Sequence, residues 1–386
     1  MKHIYLDNNA TTSMRPEVLE AMTPYFLENY GNASSIHWYG QEAKAAIDDA
    51  RSQVGRLIGA RATDIVFLSG GTEADNFAIR GIVESQKSKG RHIITSGIEH
   101  HAVMNTCKDL EKQGCEVTWL PVGRYGMLEP EQVREAIRPD TVLVTIMHAN
   151  NEIGTIQPIE QIGQIAEEAG VYFHSDGVQA TGKIPLDVKA LKVHLYSMSA
   201  HKLHGPKGVG ALYVRRGTPI KPLMTGGGHE RNRRSGTENV AGIVGFGAAA
   251  RLAREGLAEH MVRIGEMRDD MEARLKASLS HIHVNGEEAP RLPNTSNIMV
   301  DYAEGEGMVI SLDLKGIAVS TGSACSSGSM EPSHVLTAIG KTPDEGFGSL
   351  RISLSDLTIQ KDVDCLVEVL PGIVERLRAL SPYYKK

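Results

Sequence analysis

Tyr196-Ser197-Met198-Ser199-Ala200-His201-Lys202-Leu203-His204 is the stretch on which the reading of this chain turns. It follows the apolar run Val193-His194-Leu195-Tyr196 and precedes the turn residues Gly205-Pro206-Lys207-Gly208. The pattern predicts a buried strand over 193–196 that empties into a tight turn carrying Lys202. A lysine desolvated at a strand end can have its pKa lowered enough to act as a neutral amine and form a Schiff base. Read by itself, Lys202 is an ordinary loop lysine near a turn, and that reading holds unless other stretches point the same way.

Two upstream stretches point the same way. Phe173-His174-Ser175-Asp176-Gly177-Val178-Gln179-Ala180 reads as a strand that ends in an aspartate. Ile65 to Leu68 reads as a strand, and Ser69-Gly70-Gly71-Thr72-Glu73 opens the helix after it. A Gly-Gly-Thr turn at a helix start offers free N–H groups and the positive helix end to a phosphate. A carboxylate suits a pyridinium nitrogen, and a lysine suits an aldehyde. Together these are the parts of a pyridoxal phosphate site. Each also has a plainer reading: Thr72 as a helix cap, Asp176 as a turn residue.

Working outward, strands are predicted at 65–68, 92–95, 116–120, 142–147, 171–174, 193–196 and 209–214. Helices are predicted between them, at 73–83, 100–113, 129–137 and around 159–169. This alternation predicts an α/β fold with a mostly parallel sheet, whose ligands bind at the carboxyl ends of the strands. Thr72, Asn150, Asp176 and Lys202 all follow strand ends and can converge there. A long helical stretch begins at Val240. After about residue 255 the pattern changes to a smaller α+β unit. The expected division is a large domain over 14–255 and a small domain formed by 1–13 and 256–386.

The chain has 386 residues and a net charge of -6, from 41 basic and 47 acidic residues. A general nucleic-acid binder would carry a basic excess instead. The four cysteines, Cys107, Cys115, Cys325 and Cys365, form no C-x-x-C pair, so neither a zinc ribbon nor a thioredoxin-like motif is expected. Low cysteine use fits a reducing compartment. The start of the chain lacks the apolar core of a signal peptide, and no apolar run approaches a membrane span. The expectation is a cytoplasmic protein.

Further residues complete the candidate site. Ser199 and His201 can add phosphate donors, and Thr237 another, from a neighbouring subunit. Gln179 is placed to touch a ring hydroxyl. His100 can stack on a ring and shuttle protons. Arg351, in Gly348-Ser349-Leu350-Arg351-Ile352-Ser353, is either a clamp for an α-carboxylate or an exposed strand arginine. Cys325 lies in Ser320-Thr321-Gly322-Ser323-Ala324-Cys325-Ser326-Ser327-Gly328-Ser329. Cysteine usually behaves as a small buried hydrophobe, so a thiol in such a polar run reads as a reactive group on a loop. Core positions suit Cys107, Cys115 and Cys365 better. No resident metal is expected, because His100-His101 are adjacent and His201 and His204 lack a third ligand.

With these motifs assembled, the chain resembles the cysteine desulfurases of the NifS/IscS group, a pyridoxal-phosphate family within the class-V aminotransferases. The resemblance covers nearly the full length. It runs through YLDNNATT (5–12), GNASSIH (31–37), GGTEADN, EHHAV (99–103), ANNEIGTIQPI (149–159) and HSDGVQATGKIPLD (174–187). It continues through SAHKLHGPKGVGALY (199–213), GGGHERNRRSGTEN (226–239), LPNTSNI and GSACSSGSMEPSHVL (322–336). It implies PLP fold type I, with a mostly parallel seven-stranded sheet in the large domain, and a homodimer with sites at the interface.

The resemblance also implies roles. Lys202 is the Schiff-base lysine, Asp176 the pyridine partner and Gln179 the contact to the phenolic oxygen. Gly71, Thr72, Ser199 and His201 hold phosphate, with Thr237 from the other subunit. Asn150 touches cofactor and substrate, Arg351 takes the substrate carboxylate, and His100 is the stacking acid/base. Cys325 carries a persulfide and is a possible transient ligand to an iron-sulfur species. The activity implied is conversion of L-cysteine to L-alanine. Sulfur would go to a scaffold of the NifU/IscU type or another acceptor, for iron-sulfur cluster assembly. A selenocysteine lyase or aminotransferase on the same scaffold, or a sulfur-delivery binding component, are the alternatives. Two positions depart from the common pattern: His101, where the family often has Pro or Lys, and Asp356, where an arginine is frequent.

Overall fold

The computed structural model describes residues 3–321, 333–382 and 384. The chain opens with β1 (Ile4–Tyr5), α1 (Pro16–Met22), α2 (Pro24–Leu27) and α3 (Trp38–Leu57). The alternating region follows as β2 (Ile65–Leu68), α4 (Gly71–Gln86), β3 (His92–Ser96), α5 (His101–Lys112), β4 (Glu116–Leu120) and α6 (Pro130–Ala136). It continues as β5 (Thr141–Thr145), α7 (Ile159–Glu168), β6 (Tyr172–Asp176), β7 (Leu195–Ser199) and β8 (Gly210–Val214). Next come α8 (His229–Asn232), α9 (Val240–Ser278), β9 (Ile282–Val284), β10 (Thr295–Val300) and α10 (Gly305–Asp313). The last elements are β11 (Ile317–Ala318), α11 (His334–Ala338), α12 (Pro343–Phe347), β12 (Ser349–Ser353) and α13 (Gln360–Leu380).

Seven strands form one sheet in the order β2-β8-β7-β6-β5-β3-β4. All pairs are parallel except those of β8, which runs antiparallel to both neighbours. Helices cover both faces. On one, Val18, Ile47, Val54 and Phe246 pack with Phe67 and Met198. On the other, Phe77, Ile79, Ile82 and Val103 pack with Val66, Ile93 and Leu212. Fully burying a side chain of this size stabilises by roughly 1.5–3 kcal/mol. Sheet and helices therefore hold each other through many such contacts. β12, β10 and β9 form a second, antiparallel sheet, backed by Met271, Leu275, Leu366 and Val374.

Several element ends shift by a few residues from the sequence reading, and two features matter here. β7 runs two or three residues later than 193–196, so Ser197 and Ser199 lie inside it. Both faces of this central strand are covered, and Ser197 is accommodated by a 2.9 Å hydrogen bond between its Oγ and His174 Nε2. The apolar run therefore stops short of the strand. Second, α9 is one helix of 39 residues and runs straight through position 255, where a change of unit was expected. Its buried residues up to Ala250 join the core of the large sheet, and those from Ile264 onward join the core of the small one. Among the described residues, no helix is long and apolar enough to cross a membrane.

The loop after β8 is pinned by a buried ion pair. Arg51 on α3 donates from Nη1 and Nη2 to Glu230 Oε2 and Oε1, both at 2.7 Å. Glu230 Oε2 also accepts the Phe67 N–H at 2.9 Å. Three consecutive residues here, Glu230, Arg231 and Asn232, have φ of 46°, 60° and 63°, a costly conformation that needs such anchoring. Removing one partner of a buried bidentate pair strands the other charge, at about 3–5 kcal/mol. Arg51→Met is expected to lower the urea midpoint accordingly. An unchanged midpoint would show that the pair contributes no net stability.

Candidate active site

The carboxyl ends of the central strands open into a cavity of about 330 Å³. Of the residues singled out from sequence, Gly71, Thr72, His100, Asp176, Gln179, Ser199, His201, Lys202 and Arg351 line it. Asp176 and Ser199 are the final residues of β6 and β7. Gly71 and Thr72 begin α4, whose N-cap, Gly70, supplies no side-chain cap. The first N–H groups of the helix are thus left for another acceptor. A Cβ on Gly71 would come within 2.8 Å of Val178, and one on Gly177 within 1.9 Å of the Tyr196 ring. Both glycines permit close approaches at the cavity floor.

Lys202 closes the single 3₁₀ turn after β7. Its Nζ donates to the carbonyls of Asn9 and Ala10, at 2.5 and 2.7 Å. The turn itself is held by the N-terminal segment. Thr12 Oγ1 donates to the His201 carbonyl at 2.9 Å and accepts the His204 N–H at 2.8 Å.

Two buried carboxyls, Asp176 and Asp75, form the floor, and a third, Glu99, is buried close by without lining the cavity. Asp176 Oδ1 accepts the Val178 N–H at 2.9 Å. Burial raises its pKa, opposed by that bond and by Lys202. Asp75, on α4, is raised well above the usual range, first by burial and then by the charge of Asp176. Its Oδ1 is buried without a hydrogen-bond partner. Glu99 accepts from Ser96 Oγ at 2.6 Å and from the Met147 N–H at 3.0 Å, and burial pushes it up to about 8. Asp75, His100 and Asp176 each bring one ligand atom within 4.8 Å of the others. This is a metal-capable grouping that the sequence reading did not contain, and it lies inside the cavity.

His100 is the N-cap of α5, where its Nδ1 accepts the Ala102 N–H at 3.1 Å. That bond requires an unprotonated Nδ1, so the neutral ring carries its proton on Nε2. Burial, then the charges of Lys202, His101 and His334, hold its pKa down to about 4. His201 is likewise held near 4 by burial first and then Lys202. On the opposite wall, Arg351 is 2% exposed. It donates from Nη2 to Asp7 Oδ1 at 2.7 Å and from Nη1 to the Asn151 carbonyl at 3.2 Å. Its buried Nε has no partner.

Three expected residues lie outside the cavity lining or outside the described residues. Asn150 does not line the cavity. Its Oδ1 accepts the Glu152 and Ile153 N–H groups at 2.8 and 3.0 Å, and its Nδ2 donates to the Ile98 carbonyl. The side chain is used up in building its turn, and Asn151 lines the cavity in its place. Thr237 lines a separate groove with Leu68, Ser69 and Gly208. Cys325 lies outside the described residues; Cys107 and Cys115 are buried.

The cavity residues missed from sequence are Asn9, Ala10, Asp75, Met147, Asn151 and Val178. The quoted motifs contain Asn9, Asp75 and Asn151, but their spacing does not say which side chains turn inward. Of the departures, His101 sits with its ring 5.0 Å from His334. Asp356 is half-buried against Arg15, with oxygens 2.7 Å from His204 Nε2 and 3.4 Å from His260 Nδ1.

The chain matches the family model for class-V aminotransferases over residues 4–366. It is 53% identical to the cysteine desulfurase IscS of Methanosarcina thermophila, over 100% of this chain and 95% of the relative. It is 50% identical to that of Dictyoglomus turgidum, over 99% and 97%. Among solved structures, a NifS-like protein superposes with a TM-score of 0.91 at 38% identity, covering 97% of this chain and all of its own. SspA, solved in complex with cysteine, superposes with a TM-score of 0.81 at 36% identity, over 92% of this chain and 100% of its own. The strand-end lysine, the buried aspartate and this full-length similarity lead to one conclusion: the chain belongs to the class-V aminotransferase family and, within it, to the NifS/IscS group.

Proposed function

We propose that this protein is a cysteine desulfurase that converts L-cysteine to L-alanine and passes the sulfur on through Cys325. The carrying observation is the convergence of Lys202, Asp176 and Arg351 on one cavity, in a chain with relatives named cysteine desulfurase along its whole length. A structural relative solved with cysteine bound supports the choice of substrate.

Members of this family depend on pyridoxal phosphate. The cavity residues fit that group. The uncapped start of α4, with Thr72, Ser199 and His201, forms a donor set for phosphate. The acidic floor at Asp176 suits a ring cation, and Lys202 is the amine that reaches the same space. The bound cofactor supplies a carbonyl that condenses with amines and an electron-poor ring that acidifies the substrate Cα–H.

The remaining work falls to the chain. Arg351 binds the substrate carboxylate. Arg351 lines the same cavity as Lys202, and its guanidinium is already oriented there by Asp7 and the Asn151 carbonyl. Lys202 Nζ takes the Cα proton and, then an ammonium, returns one, while the neutral His100 offers its Nε2–H as a hydrogen-bond donor beside it. Burial raises the pKa of Asp75 and Glu99 further than that of Asp176, which has the Val178 N–H and Lys202 in its favour, so Asp176 is the carboxylate best able to carry charge beside the ring. The Cys325 thiolate attacks the substrate sulfur. The C–S bond breaks, an S–S bond forms, and the carbon skeleton takes up protons and leaves as alanine.

The finer reading is a cytoplasmic homodimer serving iron-sulfur cluster assembly, with a scaffold of the NifU/IscU type as acceptor. Thr237 stands outside its own cavity, which supports its use by a second copy.

The first experiment is the visible spectrum of the purified protein, followed by assay of sulfide and alanine from L-cysteine. Equal yields are expected, and a keto acid product would point to an aminotransferase instead. Lys202→Ala is expected to lose the lysine-bound visible band. Cys325→Ser should keep the band and lose sulfide release by roughly 10²-fold or more, and normal turnover in that variant would remove Cys325 from the scheme. Arg351→Ala should raise KM for cysteine by roughly 10–10²-fold, the loss of a charge-assisted pair.

The buried carboxyls make a separate prediction in cofactor-free protein. Glu99 in the fold binds its proton more tightly than in the unfolded chain. Between about pH 4.5 and 8, the folded state therefore holds more protons, and stability falls as pH rises. Glu99→Gln should flatten that slope in urea unfolding at pH 5 and 8. An identical slope would mean Glu99 is ionised.

A further inference from the structure

We propose that Lys183 is a positioning residue: it fixes the side-chain amide of Gln179 so that Gln179 can only donate a hydrogen bond into the cavity. The proposal rests on the reading that the cavity holds pyridoxal phosphate on Lys202.

Lys183 does not line the cavity, whereas Gln179, four residues earlier, does. Lys183 Nζ donates to Gln179 Oε1 at 2.7 Å and to Asn9 Oδ1 at 3.1 Å. At the other end of the amide, Gln179 Nε2 donates to the Asn9 carbonyl at 3.0 Å. That carbonyl can only accept, so Nε2 must face it. The reversed amide would set two oxygens against each other there and Nε2 against the lysine nitrogen. Burial, then the charges of Lys202 and Arg351, holds the Lys183 pKa well below the ordinary lysine range. The orientation survives this, because an amine has two N–H groups and both partners are oxygen acceptors.

Gln179 is left with one Nε2–H on Asn9 and a second for the cavity. A donor of fixed direction favours a ligand oxygen that bears negative charge, here the phenolic oxygen of the cofactor. Withdrawing density from that oxygen also makes the adjoining lysine-bound nitrogen less basic. Lys183 thus reaches the cofactor's protonation state through Gln179, without touching the cofactor.

The test is a pH titration of the visible band in wild type, Lys183→Met, Gln179→Leu and the double variant, each loaded with pyridoxal phosphate. Lys183→Met and Gln179→Leu are each expected to raise the midpoint by about one pH unit, and the double variant no further than Gln179→Leu alone. Additive shifts, or an unmoved midpoint in Lys183→Met, would overturn the proposal. A wild type with no visible band would defeat the cofactor reading instead. The amide is then followed directly in cofactor-free protein with isotope-labelled glutamine. Lys183→Met should move the Gln179 side-chain resonances towards those of solvent-exposed glutamines, and unchanged resonances would overturn the proposal irrespective of the cofactor.

Discussion

The main-chain and side-chain groups of Asn9 form the junction on which the site depends. The carbonyl accepts from Lys202 and Gln179, both on loops of the large sheet. Its Oδ1 accepts from Lys183 and Asn294, and its Nδ2 donates to Thr295 and to the Asn151 carbonyl. Its N–H reaches Ser353 Oγ on β12. One residue therefore ties the turn of Lys202 to the small sheet that carries Arg351. Asn9 is buried, so each of these groups would be costly to leave unpaired. This makes the relative placement of the amine and the guanidinium a property of the hydrogen-bond network and not of one loop.

A second seam runs behind the first. Asp356, just past β12, faces Arg15, His204 and His260. Burial works against its ionisation, but His204 and Arg15 hold its pKa well below the carboxylate range. His204 has a left-handed φ of 61°, tolerable because its N–H, its ring and its neighbours are all engaged. The departure from the frequent arginine is met by partners of opposite charge, so the seam remains closed.

The electrostatics of the cavity follow from burial more than from pairing. Histidines 100 and 201 are pushed towards neutrality, and Asp75 and Glu99 towards protonation. In a dry site a charge is retained only where something answers it. Asp176 has the Val178 N–H and the field of Lys202, and Arg351 has Asp7. Those are the groups that a zwitterionic amine-carboxylate substrate and a cationic ring require. The floor thus sorts chemically similar residues into charged and neutral forms by how each is enclosed.

The sequence by itself determined the alternating fold, the strand ends bearing Asp176 and Lys202, the helix start at Gly71-Thr72, and Arg351 on a strand of the second sheet. These are local properties, fixed by hydrophobic period and turn chemistry. It did not determine which of two adjacent asparagines turns inward. Asn150 and Asn151 have the same local propensity, and the choice follows from Asn150 capping its own turn against Ile98. Nor did it show that α9 crosses from one core to the other unbroken, or that Asp75 lies against Asp176. Those facts depend on contacts between residues distant in sequence. Only the tertiary structure decided them, because burial and partner geometry exist only once the two sheets, α9 and the N-terminal segment have closed around the cavity.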